Sequence, residues 1–371
     1  MKPDLPTLKD LARQYLTGKA ASHGLTLRMG PCRLRLHSDS PALVHTLKRY
    51  FGDFLEPQED APVDATVIAL EAPAPELGLT FTEKEPEPGK NKIKEEYFDL
   101  PGGRVVRKRL TGMVFMFGGD LNLALGPCLA NDNQVINFIN SRYIQLMLER
   151  GHLLCHAAAV AGPQGGLALA GWSGAGKSTL ALHMMGLGLD FVSNDRLLIH
   201  LDPSTGDLHM HGVAKLPRIN PGTALSTPHL GGILSPDESR RFAALPLAEL
   251  WSLEHKYDVY LDRCFGPGRF RLQAPMLGLV VLTWRHGAGP FRLREAAPGR
   301  RAELLEAFVK SPGLFYLPPR LAPAMATTGA YLRDLAGCPV YELAGGADFS
   351  AAARACRELL PRAGQAAGCR R

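Results

Sequence analysis

The sequence predicts an α/β chain: an α+β region over residues 1–130, then a domain over residues 131–371 with a mixed sheet around one glycine-rich loop. Three observations carry this. Strand and helix periodicities alternate through both halves. The loop GWSGAGKS (171–178) stands between a short apolar run, LALAG (167–171), and a helix-like run, KSTLALHMMGL (177–187). A second apolar run, LLCHAAAVAG (153–162), precedes the first across PQGG, a four-residue turn that makes a hairpin. The strand feeding the loop therefore has an antiparallel neighbour, which an all-parallel sheet does not predict.

The elements follow in order. A helix is expected at 6–18, strands near 24–36, a helix at 41–52 and a strand, ATVIAL, at 65–70. EAPAPELGLTFTEKEPEPGKNKIKEE (71–96), rich in Pro, Glu and Lys, reads as a solvated loop. Strands at 96–100, 104–110, 113–117 and 121–125 are joined by PGG, TG and GGD, as hairpins are. NQVINFINSRYIQLMLERG (133–151) places Ile136, Ile139, Tyr143, Leu146 and Met147 on one helix face, with Gly151 as the stop. After the loop, strands are expected near 189–194, 197–201, 207–211, 257–262, 269–273 and 277–284. Helices at about 300–309, 321–335 and 349–360 close the chain, with the strand PVYEL (339–343) between the last two.

Composition narrows the class. The 371 residues are 46% apolar, ample for a large core, and the net charge of +6 is mild for this length. RVVRKRL (104–110) reads as a strand with one solvated face, so no nucleic-acid partner is expected. The seven cysteines are scattered and form no C-x-x-C, which points to reduced thiols in a cytoplasmic protein. MKPDLPTLKDLARQYL reads as an amphipathic helix, and no run approaches the roughly 18 apolar residues of a membrane span.

The loop carries the chemistry. Gly171, Gly176, Lys177 and Ser178 satisfy G-x-x-x-x-G-K-[ST]. Glycines let the backbone curl until several N–H groups face one phosphate, and a helix N-terminus adds its positive end. Contacts to ATP are expected from Gly171, Trp172, Ser173, Gly174, Ala175, Gly176, Lys177, Ser178 and Thr179. Lys177 is expected on the β- and γ-phosphates and the Ser178 hydroxyl on Mg²⁺. Gly186 and Gly188 end the helix, and the strand from 189 closes on Asp195, placed to share that Mg²⁺.

Other residues stay open between a site role and a bland one. His156 is either a satisfied core histidine or a site residue that orients an acid or works as a base near pH 7. Lys215 and Arg218 either clamp a phosphoryl group or form a solvated basic turn. Asp258 and Asp262, four apart in one expected strand, share a face and either supply an acid or meet solvent. His209 and His211 sit two apart without a third ligand, so no zinc site is assigned.

The stretch HAAAVAGPQGGLALAGWSGAGKSTLALHMMGLGLDFVSNDRLLI (156–199) resembles the catalytic core of the HPr kinase/phosphorylase family. There a His begins a strand, then come a hairpin, the phosphate loop, one helix and a strand ending Asp-Asp-Arg. The likeness extends weakly through 211–225, 256–270 and 338–350, where it is similar to the group called HPr kinase-related kinase B. Residues 1–130 do not resemble the family's substrate-recognition domain. The resemblance implies a kinase fold shared with phosphoenolpyruvate carboxykinase. It implies ATP- and Mg²⁺-dependent transfer of the γ-phosphoryl group to a hydroxyl, a serine of a protein or peptide partner. His156 falls on the family's His, and Lys177, Asn194, Asp195 and Arg218 complete the expected catalytic set. That group is associated with a small bacterial gene cassette also encoding an ATP-grasp protein, so a neighbouring gene product is a candidate acceptor. Family members are often homo-oligomers.

Two departures stand out. The family's paired acids appear here as Asn194-Asp195, and Asn cannot take a proton as the family's first acid does. The family's Glu-x-Arg-Gly has no clear counterpart; Glu254 in SLEHKYDV is the nearest and matches poorly. Phosphorolysis is therefore not expected, and HPr is not implied as substrate. The alternative is a nucleotide-binding switch or pseudokinase subunit. A plain NTPase is a third reading, against which stand the absence of N-K-x-D and L-S-G-G-Q.

Overall fold

Thr7 starts the first helix: its hydroxyl accepts from the Asp10 N–H at 3.2 Å, and the Asp10 carboxylate bonds back to Thr7. This reciprocal cap satisfies two otherwise unpaired donors and sets the start of α1 (Leu8–Leu16). The computed structural model describes residues 6–57, 61–86, 92–253, 255–285, 287–297, 301, 303–318 and 327–361. They fall into two compact units, Met1–Arg150 with Pro312–Ala324, and Gly151–Ser311 with Met325–Arg371.

In the first unit, the alternation of CRLRLHS buries every second side chain of β2 (Cys32–Ser38), which pairs antiparallel with β1 (His23–Met29). Helix α2 (Pro41–Tyr50), capped by Ser40, leads to β3 (Ala65–Glu71), parallel to β2. A short β4 (Thr82–Glu83) precedes the meander β5 (Glu95–Leu100), β6 (Gly103–Lys108), β7 (Val114–Gly118) and β8 (Leu121–Gly126). The sheet order is β1-β2-β3-β8-β7-β6-β5-β4. Both faces of β7 are buried: Val114 and Met116 join the cluster that includes Leu8 and Leu11, while Phe115 packs on Phe138 with ring centroids 4.9 Å apart.

Phe138 belongs to α3 (Asp132–Glu149). The sequence places a boundary at 130/131 and gives this helix to the following domain; the structure places it in the first unit, against β2, β3 and β8. The reason lies in its burial. Val135, Phe138, Arg142 and Ile144 are buried besides the expected face, so the helix is covered over much of its circumference. The segment 71–96 also differs from a solvated loop, because Leu77, Leu79 and Phe81 pack on the core; residues 87–91 lie outside the described set. The basic residues of β6 each meet an acid directly opposite on β5: Arg104 with Asp99 at 2.6 Å, Arg107 with Glu96, and Lys108 with Glu95. Such cross-strand pairs contribute about 0.2–1 kcal/mol each.

The second unit opens with β9 (Leu153–Cys155) and β10 (Ala157–Gly162), separated only by His156. β10 pairs antiparallel with β11 (Gly165–Gly171), the expected hairpin, but its turn is Pro163-Gln164 alone. Gly165 and Gly166 belong to the strand; a Cβ on Gly166 would lie 2.0 Å from the Val160 carbonyl, so only glycine lets the backbones approach. Helix α4 (Lys177–Gly186) is followed by β12 (Asp190–Ser193), β13 (Leu197–Leu201), β14 (Leu208–His211) and β15 (Arg218–Ile219). Short helices α5 (Pro221–Ser226), α6 (Pro236–Ala243) and α7 (Leu247–Ser252) come next, then β16 (Tyr257–Asp258) and α8 (Leu261–Phe265). The chain closes with β17 (Gln273–Leu282), β18 (Arg292–Ala296), α9 (Glu303–Glu306), α10 (Thr328–Asp334), β19 (Val340–Ala344) and α11 (Phe349–Glu358).

The sheet is mixed and forks at β17. Strands β12, β10, β11 and β17 lie side by side, with β11 and β17 parallel. The first residues of β17 pair antiparallel with β14, which continues into β13 and β9. Its last residues pair parallel with β19, which carries β18. Both faces are buried: Val160, Leu167 and Leu169 pack with Leu180, Phe349 and Cys356, whereas Ala159, Ala168 and Ala170 belong with Phe308, Tyr331 and Leu335.

Several sequence expectations change here. The expected strand at 257–262 is only β16; its two residues pair with β15, and helix α8 then begins at Leu261. Asp258 and Asp262 therefore do not share a strand face. Near 269–273 the structure has a single bridge, Phe191 to Phe270, and β17 begins at Gln273. The helix expected at 300–309 is described only as α9, and of the one at 321–335 residues 321–326 lie outside the described set. Among the described residues, no helix is long and apolar enough to cross a membrane.

Candidate functional site

β11 delivers Gly171 to the loop, and α4 starts at Lys177. Gly174 and Gly176 hold left-handed φ values of 83° and 88°, which side-chain-bearing residues adopt at a cost. A Cβ on Gly176 would also lie 2.6 Å from Cε1 of Phe349, at the start of α11. Trp284, just past β17, donates its indole N–H to the Ala175 carbonyl at 2.8 Å. Two aromatic residues far away in sequence thus brace the curl. The N-cap Gly176 has no side chain, so none caps the first N–H groups of α4, and these are the donors an anion would use.

Lys177 is buried, at 7% exposure, and its ammonium donates to the loop's own Gly171 and Trp172 carbonyls at 2.6 and 3.2 Å. Burial pushes it down to about 8, with Lys310 helping and the Asp195 carboxylate opposing. Ser178 is half-buried; Trp172, Ser173 and Gly174 are exposed. Thr179 is buried, and its hydroxyl shares a 2.8 Å hydrogen bond with Thr223 on α5, so it is engaged inside the protein.

Register explains how the acid meets the histidine. Ser193 at the end of β12 stands opposite Ala159 of β10, so the chain beyond β12 runs back beside the start of β10. Asp195 arrives there, with Oδ1 3.1 Å from His156 Nε2. Its other oxygen lies 3.4 Å from Lys310 Nζ. Lys310 is delivered by residues 308–310, which run along β9: His156 N–H donates to the Phe308 carbonyl and Lys310 N–H to that of Leu154. Burial would raise the Asp195 carboxyl, but the His156 hydrogen bond, Lys310 and Arg196 outweigh it and hold it well below the usual carboxylate range. The side chain remains half exposed.

Lys215 joins the same electrostatic group. Burial and the charges of Arg196 and Arg218 push it down to about 8 against the pull of Asp195 and Asp258. Arg218 itself pairs with Asp258 at 3.2 Å, both about half exposed, across the β15–β16 ladder. Lys177, Lys215, Lys310 and Arg196 all couple to the Asp195 carboxylate, so cations outnumber acids around it. Asn194 is half-buried, and its Oδ1 finds no hydrogen-bond donor among the described residues.

The structure thus brings His156, Lys177 and Asp195 of the sequence-predicted set into one electrostatic cluster, with Asn194 adjoining Asp195 in the chain. Arg218 stands one cation further out. Glu254 lies outside the described residues. His211 is buried against His152, which stacks on His200, and burial with these histidines and His209 pushes it down to about 3. Among the described residues, no group of three or more His, Cys, Asp or Glu is placed to hold a metal ion. Sequence reasoning missed Lys310, Trp284 and Phe349. No motif surrounds any of them, and each reaches the site through a tertiary contact.

No protein-family profile matches the chain, and no curated protein matches it. Forty-six chains of solved structures do. One is the Hpr(Ser) kinase/phosphatase from Coxiella burnetii, 11% identical, with an alignment covering 55% of this chain and 93% of that one and a TM-score of 0.26.

Proposed function

We propose that this chain is an ATP- and Mg²⁺-dependent kinase that transfers the γ-phosphoryl group to a hydroxyl, a serine on a protein or peptide partner. The observation that carries the reading is the buried Lys177 ammonium at the loop, electrostatically coupled to an Asp195 carboxylate flanked by His156 and Lys310. In this reading the phosphates replace the Gly171 and Trp172 carbonyls as partners of Lys177. The Ser178 hydroxyl and the ionised Asp195 are hard oxygen donors of the kind Mg²⁺ takes, one carboxylate with phosphates and waters completing the set. The ion, when bound, neutralises charge developing on the phosphoryl oxygens. Lys177, Lys215 and Lys310 add to that field. With its Nε2–H donated to Asp195, His156 keeps Nδ1 as the basic nitrogen to receive the acceptor proton. Asn194 orients the acceptor hydroxyl by donating an amide N–H to its oxygen, which leaves the hydroxyl proton to pass to His156. Transfer through a loose transition state depends on positioning and electrostatics more than on the base, so Asn194 is compatible with activity.

Nucleotide binding is expected to take up protons. Lys177 and Lys215 each stand at about 8 without phosphate, and a polyphosphate beside them favours the charged form. Well below that pH both are already charged and uptake is small; above it uptake grows and affinity falls. Calorimetric titration at pH 7 and pH 8.5 in buffers of differing ionisation enthalpy measures this. Equal uptake at both pH values contradicts it.

Asn194 in place of a carboxylate favours a second reading, a nucleotide-binding switch without transfer. Incubation with Mg-ATP and neighbouring gene products, followed by intact mass of each, separates the two. A phosphorylated partner supports the kinase. Binding without transfer supports the switch, and phosphate release that needs no acceptor supports an NTPase.

A further inference from the structure

The first unit contains a cleft of about 720 Å³, bounded by the turns of the β5–β6 and β7–β8 hairpins, the start of β3, the last turns of α3 and Leu317-Pro318. Arg142 of α3 forms part of its wall and is only 5% exposed. Its Nη2 donates to the Phe315 carbonyl, whereas its buried Nε finds no acceptor among the described residues. The guanidinium lies over the Phe117 and Phe138 rings, 4.4 and 5.3 Å from their centroids. A cation so enclosed is costly unless a counter-charge meets it.

The remaining lining charges show what is missing. Asp99 is taken by Arg104 at 2.6 Å, and Asp64 by Arg150. Arg142, Asp120 and Glu149 are left without an ion-pair partner within 4.0 Å among the described residues; Glu149 accepts only from the Gln145 amide. The cation is buried, and the two acids are exposed at the mouth.

We propose that this cleft binds a small zwitterion of the amino-acid class, its carboxylate on the Arg142 guanidinium and its ammonium toward Asp120 and Glu149. A planar guanidinium fork fits a carboxylate through two parallel hydrogen bonds. A simple anion would satisfy Arg142 but meet the two acids at the mouth; a simple cation would do the reverse. Only a ligand with both charges completes the set. The apolar rings beside Arg142 lower the local dielectric and strengthen the contact. Burial pushes this guanidinium down to about 9, against the pull of Glu149, and a bound carboxylate would offset that burial cost. The inference is independent of the phosphate loop.

The test is calorimetric titration of the full chain with free amino acids and glycyl dipeptides. Their C-terminal amides and N-acetyl forms serve as one-charge controls. At least one free zwitterion should bind, its amide at least tenfold more weakly. Arg142→Met should also weaken it at least tenfold. Asp120→Asn, at an exposed position, should weaken the zwitterion while leaving its N-acetyl form bound at least as tightly as before. The inference is overturned if no free zwitterion binds, if amides bind equally, or if both variants bind like the wild type. If Arg142→Met fails to fold, Asp120→Asn and the amide comparison decide.

Discussion

Replacing Lys177 by Ala should lower phosphoryl transfer by about 10³-fold or more, a loss of roughly 4 kcal/mol of transition-state stabilisation. The ammonium is the one group of the loop carrying full charge, and its burial places it where charge–charge interactions are least screened. Lys177→Met supplies the control for folding. The lysine stands at about 8 against an ordinary 10.5, so its protonated form is disfavoured by about 3 kcal/mol in the absence of phosphate. That penalty is fully present below pH 8 and fades as pH rises toward 10.5. At pH 7 the Met variant should therefore melt no lower than the wild type while losing transfer. Transfer at the wild-type rate by either variant, read by intact mass of the acceptor, would remove Lys177 from the chemistry.

Gly176→Ala should weaken nucleotide binding about 30-fold, roughly 2 kcal/mol, or more. Two costs add at this residue. A φ of 88° costs a side-chain-bearing residue about 1–2 kcal/mol. The new methyl would also meet Phe349 at 2.6 Å, and overpacking of this kind costs about 1–3 kcal/mol. The ring has little room to give, since it packs against His183, Trp251 and Trp284. Adding Phe349→Leu should recover the steric part and leave the backbone part, so the double-mutant cycle should show a favourable coupling of about 0.5–3 kcal/mol. Additive losses in nucleotide titration would mean that Phe349 does not shape the loop.

The legible parts of this protein are those set by near neighbours in the chain. LALAG-WSGAG-KSTLAL shows its strand, curl and helix because glycine tolerance and apolar spacing are local properties. Strand 197–201 and the meander from β5 to β8 follow from alternation and turn residues. The expected strand at 257–262 fails because YDVYL carries the right periodicity, yet β15 offers pairing to only two of its residues. The helix 132–149 is visible as a helix, but its unit is not, because burial of Arg142 and Ile144 beyond the amphipathic face depends on what packs around it.

The chain's own order of residues determined a glycine-rich loop between a strand and a helix, an antiparallel neighbour for that strand and an acid one short helix later. It did so because backbone conformation and hydrophobic period act over a few residues. Tertiary structure alone decided that Lys310 meets Asp195, that Trp284 and Phe349 brace the glycines, and that Arg142 lies buried on aromatic faces. Apart from the contact of Arg142 with Phe138 in its own helix, those arrangements join segments separated by between about twenty and more than a hundred residues. They depend on strand register and side-chain packing across the folded units, to which local propensity is blind.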